Sequence, residues 1–237
     1  MSKKPIKRLA FENLTIEFGD KKIVDNCSFE FPLNRKIRML FNNDVNKYAV
    51  LHAFTQVEGI TQGKYFFNED DVTQFSFEEF MSYRLNMGIG FSTRGLLHNR
   101  SLQENLLLPL MYHKMMSMDE ALEHLKKFYE YFDISSVKDR RPAEVGPNMQ
   151  KATLLIRAFI HEPEIVFLDN PEMLLSKGLY ANLLQLIDDQ VEKGNLKHLF
   201  FSTEDEDLSD CIADGFIIVK KNKFEFVENK KQMRLAV

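Results

Sequence analysis

Residues 141–176 read RPAEVGPNMQKATLLIRAFIHEPEIVFLDNPEMLLS. This stretch predicts a helix over 150–160, followed by a buried strand over 165–168, where four apolar residues stand together. The sequence after it predicts a second helix over 177–192 and a second apolar strand over 198–202. Helices that connect short apolar strands in this way are typical of a parallel sheet covered on both faces.

The flanking sequence continues this alternation of strands and helices. Further elements are predicted as strands over 9–18, 23–31, 37–41 and 87–91, a helix over 47–57 and a closing hairpin over 215–227. Three S-x-x-E capping boxes each predict the start of a helix, at Ser76/Glu79, Ser101/Glu104 and Ser117/Glu120. The sequence therefore predicts an α/β fold with a mostly parallel core sheet, antiparallel N-terminal strands and an inserted helical subdomain.

The whole chain, residues 1–237, is predicted to form one domain with an insertion. A core lobe is expected from residues 1–94 and 143–228, because the predicted strands lie there. Residues 95–142 are largely helical in pattern and are expected to form the inserted subdomain. Residues 229–237 are expected to form a C-terminal tail.

Composition excludes several classes of function. The chain has 31 basic and 35 acidic residues without a basic block, so no nucleic-acid surface is expected. Its N-terminus, MSKKPIKRLA, lacks the apolar region of a signal peptide, so we expect a cytoplasmic protein. No run of 18 apolar residues occurs, so membrane association is expected to be peripheral and mediated by a partner. Two widely spaced cysteines predict neither a disulfide framework nor a metal site.

Residues 141–176 resemble the signature-to-Walker-B stretch of ABC-transporter ATPases. In that family a helix opens with L-S-G-G-x-Q and ends with A-R-A-L, and a strand then closes with L-D-E-P. Here the helix ends with IRAF and the strand closes with LDNP. Residues 200–226 resemble the family's switch strand and closing hairpin, and residues 87–113 resemble the Q-loop region of Mce/Mla-type lipid-transporter ATPases. The resemblance covers roughly residues 9–227 and implies a P-loop NTPase-like ABC ATPase fold.

The phosphate-binding loop implied by the resemblance is eroded. A competent loop reads G-x-x-x-x-G-K-[ST], because glycines let backbone N–H groups surround phosphates and the hydroxyl binds Mg²⁺. Here residues 41–48 read FNNDVNKY. Lys47 is in register, but Asn46 replaces a glycine and Tyr48 replaces the hydroxyl residue, while Asp44 adds negative charge. Asn46 is able to adopt a positive φ, so the bend of the loop is expected to survive.

Other active positions implied by the resemblance are also altered. Asp169 keeps the Walker B carboxylate, although a strand-end carboxylate that caps the following turn is an equal alternative. Asn170 stands where the glutamate base is expected, Glu204 where the switch histidine is expected and Ser92 at the Q-loop glutamine. Phe18 stands where an aromatic ring stacks on adenine, although a Phe on an alternating strand is more often core.

These substitutions predict that no catalytic residue is competent. The vestigial nucleotide-binding positions are Phe18, Asn43, Asp44, Asn46, Lys47, Tyr48, Ser92 and Asp169, and the vestigial signature positions are Gly146, Pro147, Asn148 and Gln150. Pro147 lacks an N–H, and Asn148 adds a side chain where a glycine lets the backbone approach phosphate. No cofactor and no metal are therefore expected, with ATP and Mg²⁺ as the alternative if residual binding remains.

In the family, a groove between the two lobes holds a cytoplasmic helix of the permease. The candidates for this contact are Leu96, Leu97, Met111 and Met115, because unbranched methionines adapt to a partner surface. The alternative is that the methionines fill the core of the helical subdomain.

The resemblance implies a pseudo-ATPase that serves as a structural or regulatory component of an ABC transporter complex, with lipid as one candidate cargo. Its expected partners are an integral-membrane permease and a second ATPase subunit, in a homodimer or a heterodimer. Two alternatives stay open at this point. One is a divergent ATPase that still binds nucleotide through Lys47 and Asp169, and the other is a soluble regulator of an active relative.

Overall fold

The computed structural model describes residues 3–56, 58–91 and 95–236. Its strands are β1 (Leu9–Phe18), β2 (Lys21–Glu30), β3 (Lys36–Leu40), β4 (Ile60–Phe67), β5 (Asp70–Asp71), β6 (Met87–Gly90), β7 (Ile165–Asp169), β8 (His198–Ser202), β9 (Gly215–Lys220) and β10 (Lys223–Val227). Its α-helices are α1 (Asp44–Gln56), α2 (Phe77–Arg84), α3 (Leu102–Tyr112), α4 (Met118–Phe132), α5 (Pro147–Phe159), α6 (Lys177–Glu192), α7 (Glu206–Ile212) and α8 (Lys230–Ala236).

The strands form two sheets. The core sheet has the order β10-β9-β3-β8-β7-β6, in which β10 alone pairs antiparallel. The N-terminal sheet has the order β2-β1-β4-β5 and is antiparallel. This arrangement confirms the predicted α/β fold with a mostly parallel core, antiparallel N-terminal strands and a helical insertion.

The candidate site lies at one edge of the core sheet. The carboxyl ends of parallel strands meet at the same edge, and in open α/β sheets ligands bind outside that edge. Helix α1 begins shortly after β3 at this edge, and Asp169 at the end of β7 is paired in register with Ser202 at the end of β8. The topology therefore brings the start of α1 and the ends of β7 and β8 together.

Helix α1 is held in place by an aromatic core. Val50 and Phe54 of α1 are fully buried in the cluster that both sheets share. The Phe54 ring packs edge-on against Phe31 at 5.1 Å, and Phe31 packs against Phe200 of β8 at 5.5 Å. Burying an aromatic side chain stabilises a domain by about 3–5 kcal/mol relative to alanine, so this packing fixes the start of α1 against the sheet.

The capping-box predictions are confirmed, whereas two helix starts were placed too late. All three S-x-x-E segments form reciprocal capping boxes, and α6 and β8 have the predicted bounds. Helices α1 and α5 each begin three residues before the predicted start, at Asp44 and Pro147. Asn43 caps the first of them, and Gly146 precedes the second with Pro147 at its first turn, where a missing N–H costs nothing.

One other segment differs from prediction. The segment expected to be a tail contains α8, because Met233 is buried against Phe216, Ile218 and Val227. At the start of the expected helical subdomain, residues 95–101 form a loop that the Asn105 side chain holds through both backbone groups of Leu97. In the described ranges, no helix has both the length and the apolar character needed to cross a bilayer.

Candidate functional site

Lys47 joins the start of α1 to the end of β7. Its Nζ lies 2.9 Å from Oδ1 of Asp169 and 3.0 Å from Oδ1 of Asp44. The Lys47 and Asp169 side chains are only 11% and 13% exposed. Burial opposes the charge on Lys47, but the bonds to Asp169 and Asp44 outweigh it and raise the pKa of this ammonium group. The one lysine of residues 41–48 is therefore engaged by two carboxylates.

The backbone N–H groups at the start of α1 also have partners within the chain. The Asn46 N–H donates to Oδ1 of Asn43 at 2.9 Å, and the Lys47 N–H donates to the Asn43 carbonyl oxygen at 3.1 Å. The expectation that Asn46 supplies a left-handed bend is wrong, because Asn46 lies inside α1 and has no positive φ. The helix cap that Asn43 provides makes such a bend unnecessary.

Tyr48 belongs to a row of rings that we call the aromatic ladder: Phe18, Tyr48, His52 and Phe91. The Tyr48 ring lies 5.5 Å from Phe18 and 4.0 Å from His52, and the His52 ring stacks on Phe91 at 5.2 Å. Phe18 is 47% exposed, so the alternative that it belongs to the core is wrong. Ser92, the residue after Phe91, lies outside the described residues. The ladder forms a continuous aromatic surface from the end of β1 to the end of β6.

The end of β7 carries a second set of hydrogen bonds that the sequence motifs do not predict. Asp169 accepts a hydrogen bond from Ser202 Oγ at 2.7 Å, and Lys151 Nζ donates to the Asn170 carbonyl oxygen at 2.8 Å. Lys151 is buried, and this burial lowers its pKa to about 8. Asn170 has a φ of 40°, and its buried Oδ1 has no hydrogen-bond partner in the described part of the chain. The sequence motifs gave no signal for this contact, because it depends on how α5 packs against the end of β7.

The segment after β8 presents carboxylates to the same edge. Glu204 is exposed, and the neighbouring Thr203 Oγ1 donates to Glu172 Oε1 at 2.6 Å. The buried Arg38 guanidinium donates to the Thr203 carbonyl oxygen and to Glu206, at 2.8 and 2.7 Å. Hydrogen bonds from Lys230 and Arg38 lower the pKa of Glu206 to about 2. The switch segment is thus held by ion pairs and places Glu204 in solvent.

The residues at the predicted signature position form the start of α5. Gly146 is the N-cap, its carbonyl oxygen accepts from the backbone N–H groups of Met149 and Gln150, and Pro147 occupies the first turn. Gln150 Nε2 donates to the Pro142 carbonyl oxygen at 2.9 Å. Gly146 and Pro147 are exposed, whereas Asn148 is half-buried. These residues therefore cap and stabilise α5 and leave an exposed turn.

A groove with a volume of about 1180 Å³ separates the core lobe from the helical lobe. Its core side includes Tyr48 and His52 of the aromatic ladder, and its helical side includes Leu108, Tyr112 and Met115. Asp169 also lines it, so the groove reaches the predicted nucleotide positions.

The permease-contact candidates fall in different places around this groove. Met115 lines it, and the exposed Leu97 and half-buried Leu96 lie in the loop beside Gly95, which also lines it. Met111 and Met115 both pack against the core of the helical lobe. This packing supports the core-filling alternative for both methionines, and permease contact through Met115 stays a prediction.

Comparisons with known proteins agree on one family. The family model described as "ABC transporter" matches residues 24–173, more than half of the chain. The Fe(3+) ions import ATP-binding protein FbpC of Photorhabdus laumondii is 25% identical over 214 residues, which are 90% of this chain and 58% of that protein. FbpC 1 of Pectobacterium atrosepticum is 23% identical over 214 residues, again 90% of this chain and 58% of that protein. The chain thus spans about 58% of the length of these relatives.

Solved structures share the fold. The ATP-binding subunit of an ABC transporter superposes with a TM-score of 0.82 at 18% identity, covering 97% of this chain and 93% of that one. A dimeric ATP-binding cassette in a post-hydrolysis state with ADP and Pi superposes with a TM-score of 0.81 at 17% identity, covering 93% of this chain and 98% of that one.

Proposed function

This chain belongs to the ABC transporter family, and on that premise we propose that it is a non-hydrolysing, ATPase-like subunit of a transporter complex. The observation that carries the proposal is the ion pair between Lys47 and Asp169 at 2.9 Å. These are the two residues that a P-loop ATPase directs at the nucleotide phosphates and at the magnesium ion. Here each partly neutralises the other, so nucleotide has to break a shielded ion pair before it binds.

The surrounding residues also oppose nucleotide binding. The Asn46 N–H, which a phosphate needs, already donates to Asn43 Oδ1. The Tyr48 ring stands where a small hydroxyl residue holds magnesium, and it is fixed by Phe18 and His52. Mg-ATP therefore does not fit the residues present.

The catalytic positions oppose hydrolysis independently of binding. Asn170 is a neutral amide at the position of the base, and loss of a general base typically costs about 10²–10⁴ in rate. Glu204 adds a carboxylate where a phosphate-stabilising donor is expected, and loss of such a donor costs about 10²–10³. The two losses do not add simply, but both lower the rate. We therefore propose that the chain supports or regulates a transporter assembly without hydrolysing ATP.

The partners we propose are an integral-membrane permease, bound through the groove, and a second ATPase subunit, with this chain peripheral on the cytoplasmic face. A homodimer would contain two defective sites. A heterodimer with an intact relative would have one site with this chain's blocked phosphate loop and the other site with its signature remnant, Gly146-Pro147-Asn148. The expected lipid-transporter subclass gains no support, because the relatives reported above are named for Fe(3+) import.

Nucleotide titration tests the proposal directly. We expect no saturable binding of ATP at micromolar to low millimolar concentration, with or without Mg²⁺, in calorimetry of the purified chain. Micromolar binding that Lys47→Ala abolishes would support the divergent ATPase and overturn the proposal.

A gain-of-binding variant provides the matched comparison. Asn46→Gly/Tyr48→Thr restores a glycine and a magnesium-binding hydroxyl, so its affinity for Mg-ATP is expected to exceed that of the wild type by about tenfold or more. The same calorimetric titration measures both chains. A wild type that binds as tightly as this variant would contradict the assigned effect of Tyr48.

A further inference from the structure

Two arginines in the groove between the lobes have no carboxylate partner. Arg84, at the end of α2, donates to the Met87 carbonyl oxygen at 3.1 Å, and Arg157, near the end of α5, donates to the carbonyl oxygen of Gly95. Both side chains line the groove. Across residues 3–56, 58–91 and 95–236, neither guanidinium forms an ion pair. No anion of the described chain therefore engages either arginine.

Two histidines lie beside Arg84 and add no negative charge. His161 Nε2 lies 3.0 Å from the same Met87 carbonyl oxygen that accepts from Arg84, and His161 and His113 both line the groove. Among the described residues, each charge that shifts the pKa of Arg84, His113 or His161 comes from a basic side chain. We call this part of the groove the arginine end: Arg84, His113, Arg157 and His161. Its local potential is positive.

The two arginine charges are partly withdrawn from water, and this is costly. Both residues are half-buried. Burial lowers the pKa of Arg84 to about 10, with a further contribution from the charge of Arg157, and burial also lowers the pKa of Arg157. Both stay charged at neutral pH, and desolvation penalises a charge that has no partner. An anion that reaches both arginines removes this penalty, whereas Asp169, the one carboxylate among the described lining residues, is already bound by Lys47 and Ser202.

A carboxylate is the anion that suits this place best. The planar guanidinium group of arginine bonds both oxygens of a carboxylate in one fork. A carboxylate carries a single negative charge, whereas a phosphate group carries about −1.5 to −2 at neutral pH. Because the cost of leaving water rises with charge, the carboxylate enters a partly buried groove more readily.

An apolar surface adjoins the arginine end. Spacings of four and three residues place Phe77, Met81 and Arg84 on one face of α2, and all three line the groove. Leu108 and Tyr112, spaced by four residues on α3, line its helical side. The volume of about 1180 Å³ exceeds the roughly 300–1,000 Å³ that holds a small molecule. The groove therefore has room for an apolar body attached to the carboxylate.

We propose that the groove is a binding site for a small organic carboxylate, with the carboxylate group between Arg84 and Arg157 and an apolar body against Met81 and Leu108. The site uses neither Lys47 nor any other residue of the phosphate loop. A bound carboxylate also excludes any permease contact in the same groove, so it regulates assembly; this consequence rests on the proposed function, whereas the binding site does not.

Calorimetric titration of the full chain with three probes tests the chemistry of the site. The probe 4-phenylbutyrate has a carboxylate and an apolar body, acetate has the carboxylate alone, and 4-phenyl-1-butanol has the body with an uncharged head. We expect saturable binding of 4-phenylbutyrate with a Kd of about 1 mM or below, and binding about tenfold weaker or worse for each of the other two. No saturable binding of 4-phenylbutyrate, or equal binding of the alcohol, would overturn the inference.

Arginine variants test the place of the carboxylate. Arg84→Met and Arg157→Met are each expected to weaken 4-phenylbutyrate binding by about tenfold or more, because the carboxylate loses one of its two partners while the bulk of the side chain is kept. Arg100→Met is the matched control, since it removes an exposed arginine that is paired with Glu104, and it is expected to leave the affinity unchanged. Binding that both arginine variants leave intact contradicts the assigned site.

A variant that narrows the groove tests the place of the apolar body and keeps both arginines. Leu108 is 45% exposed, so Leu108→Trp adds bulk inside the groove without entering the core of the helical lobe. We expect it to lose 4-phenylbutyrate binding and to keep the circular dichroism spectrum of the wild type. Wild-type affinity in Leu108→Trp would show that the body lies elsewhere, and the inference would be wrong. Nucleotide titration judges the loss of ATP binding separately, so either proposal can fail alone.

Discussion

The Lys47→Ala variant is expected to unfold at a Tm about 5–10 °C below that of the wild type, in the absence of any nucleotide. Removing one partner of a buried ion pair costs about 3–5 kcal/mol, because it leaves the other charge unpaired. Asp169 keeps its bond to Ser202, and both side chains of the pair retain slight exposure, so we expect about 2–3 kcal/mol here. Thermal unfolding followed by circular dichroism measures the shift.

Two further variants control this experiment. Lys193→Ala removes an exposed lysine at the end of α6 that forms no ion pair in the described part of the chain, and it is expected to change stability by less than about 0.5 kcal/mol. Lys47→Ala/Asp169→Asn removes both charges of the pair and is expected to regain part of the lost Tm. If Lys47→Ala left the Tm unchanged but abolished nucleotide binding, Lys47 would be a nucleotide ligand and its pairing with Asp169 incidental.

The local rules of sequence predicted much of the fold because several helices carry their own start signals. Each S-x-x-E segment satisfies its first backbone N–H groups with its own side chains, so the helix start depends on four neighbouring residues. Helix α8 also has a local start signal that the prediction of a tail overlooked, since the Gln232 N–H donates to Asn229 Oδ1 at 2.9 Å. That signal does not reveal the burial of Met233 against β9 and β10, which holds the helix on the sheet.

The candidate site was predictable in position but not in its ion pairs. Motif spacing placed Lys47 and Asp169 at the same edge of the sheet, and the structure brings them within 2.9 Å. The bond from Lys151 to the Asn170 carbonyl oxygen and the bond from Arg38 to the Thr203 carbonyl oxygen depend on how distant elements meet. A lysine or arginine in a sequence does not show whether its charge is solvated, paired or shielded, so these features required the tertiary structure.

Acid is expected to destabilise the chain well above the range in which carboxylates titrate, and His161 should carry a large share of this effect. Burial, followed by the charge of Lys3, lowers the pKa of His161 from 6.5 to about 3, with Arg84 and His113 adding to the shift. The unfolded chain therefore takes up the proton first as pH falls below 6.5. The contribution of neutral His161 to stability is complete above pH 6.5 and is lost progressively towards pH 3, by about 2–3 kcal/mol at pH 4.5.

The matched variant for this prediction keeps the hydrogen bond and removes the titration. His161 Nε2 lies 3.0 Å from the Met87 carbonyl oxygen and must donate to it, which a glutamine amide at the same reach also does. Between pH 7.5 and 4.5, the free energy of unfolding of His161→Gln is therefore expected to fall by about 2 kcal/mol less than that of the wild type, measured by urea unfolding at each pH. The exposed His98→Gln should follow the wild type, and a slope remains in every chain because the pKa values of His113 and His198 are also lowered. If His161→Gln lost as much stability as the wild type, His161 would titrate near its ordinary pKa, and the assigned shielding of its imidazole from water would be wrong.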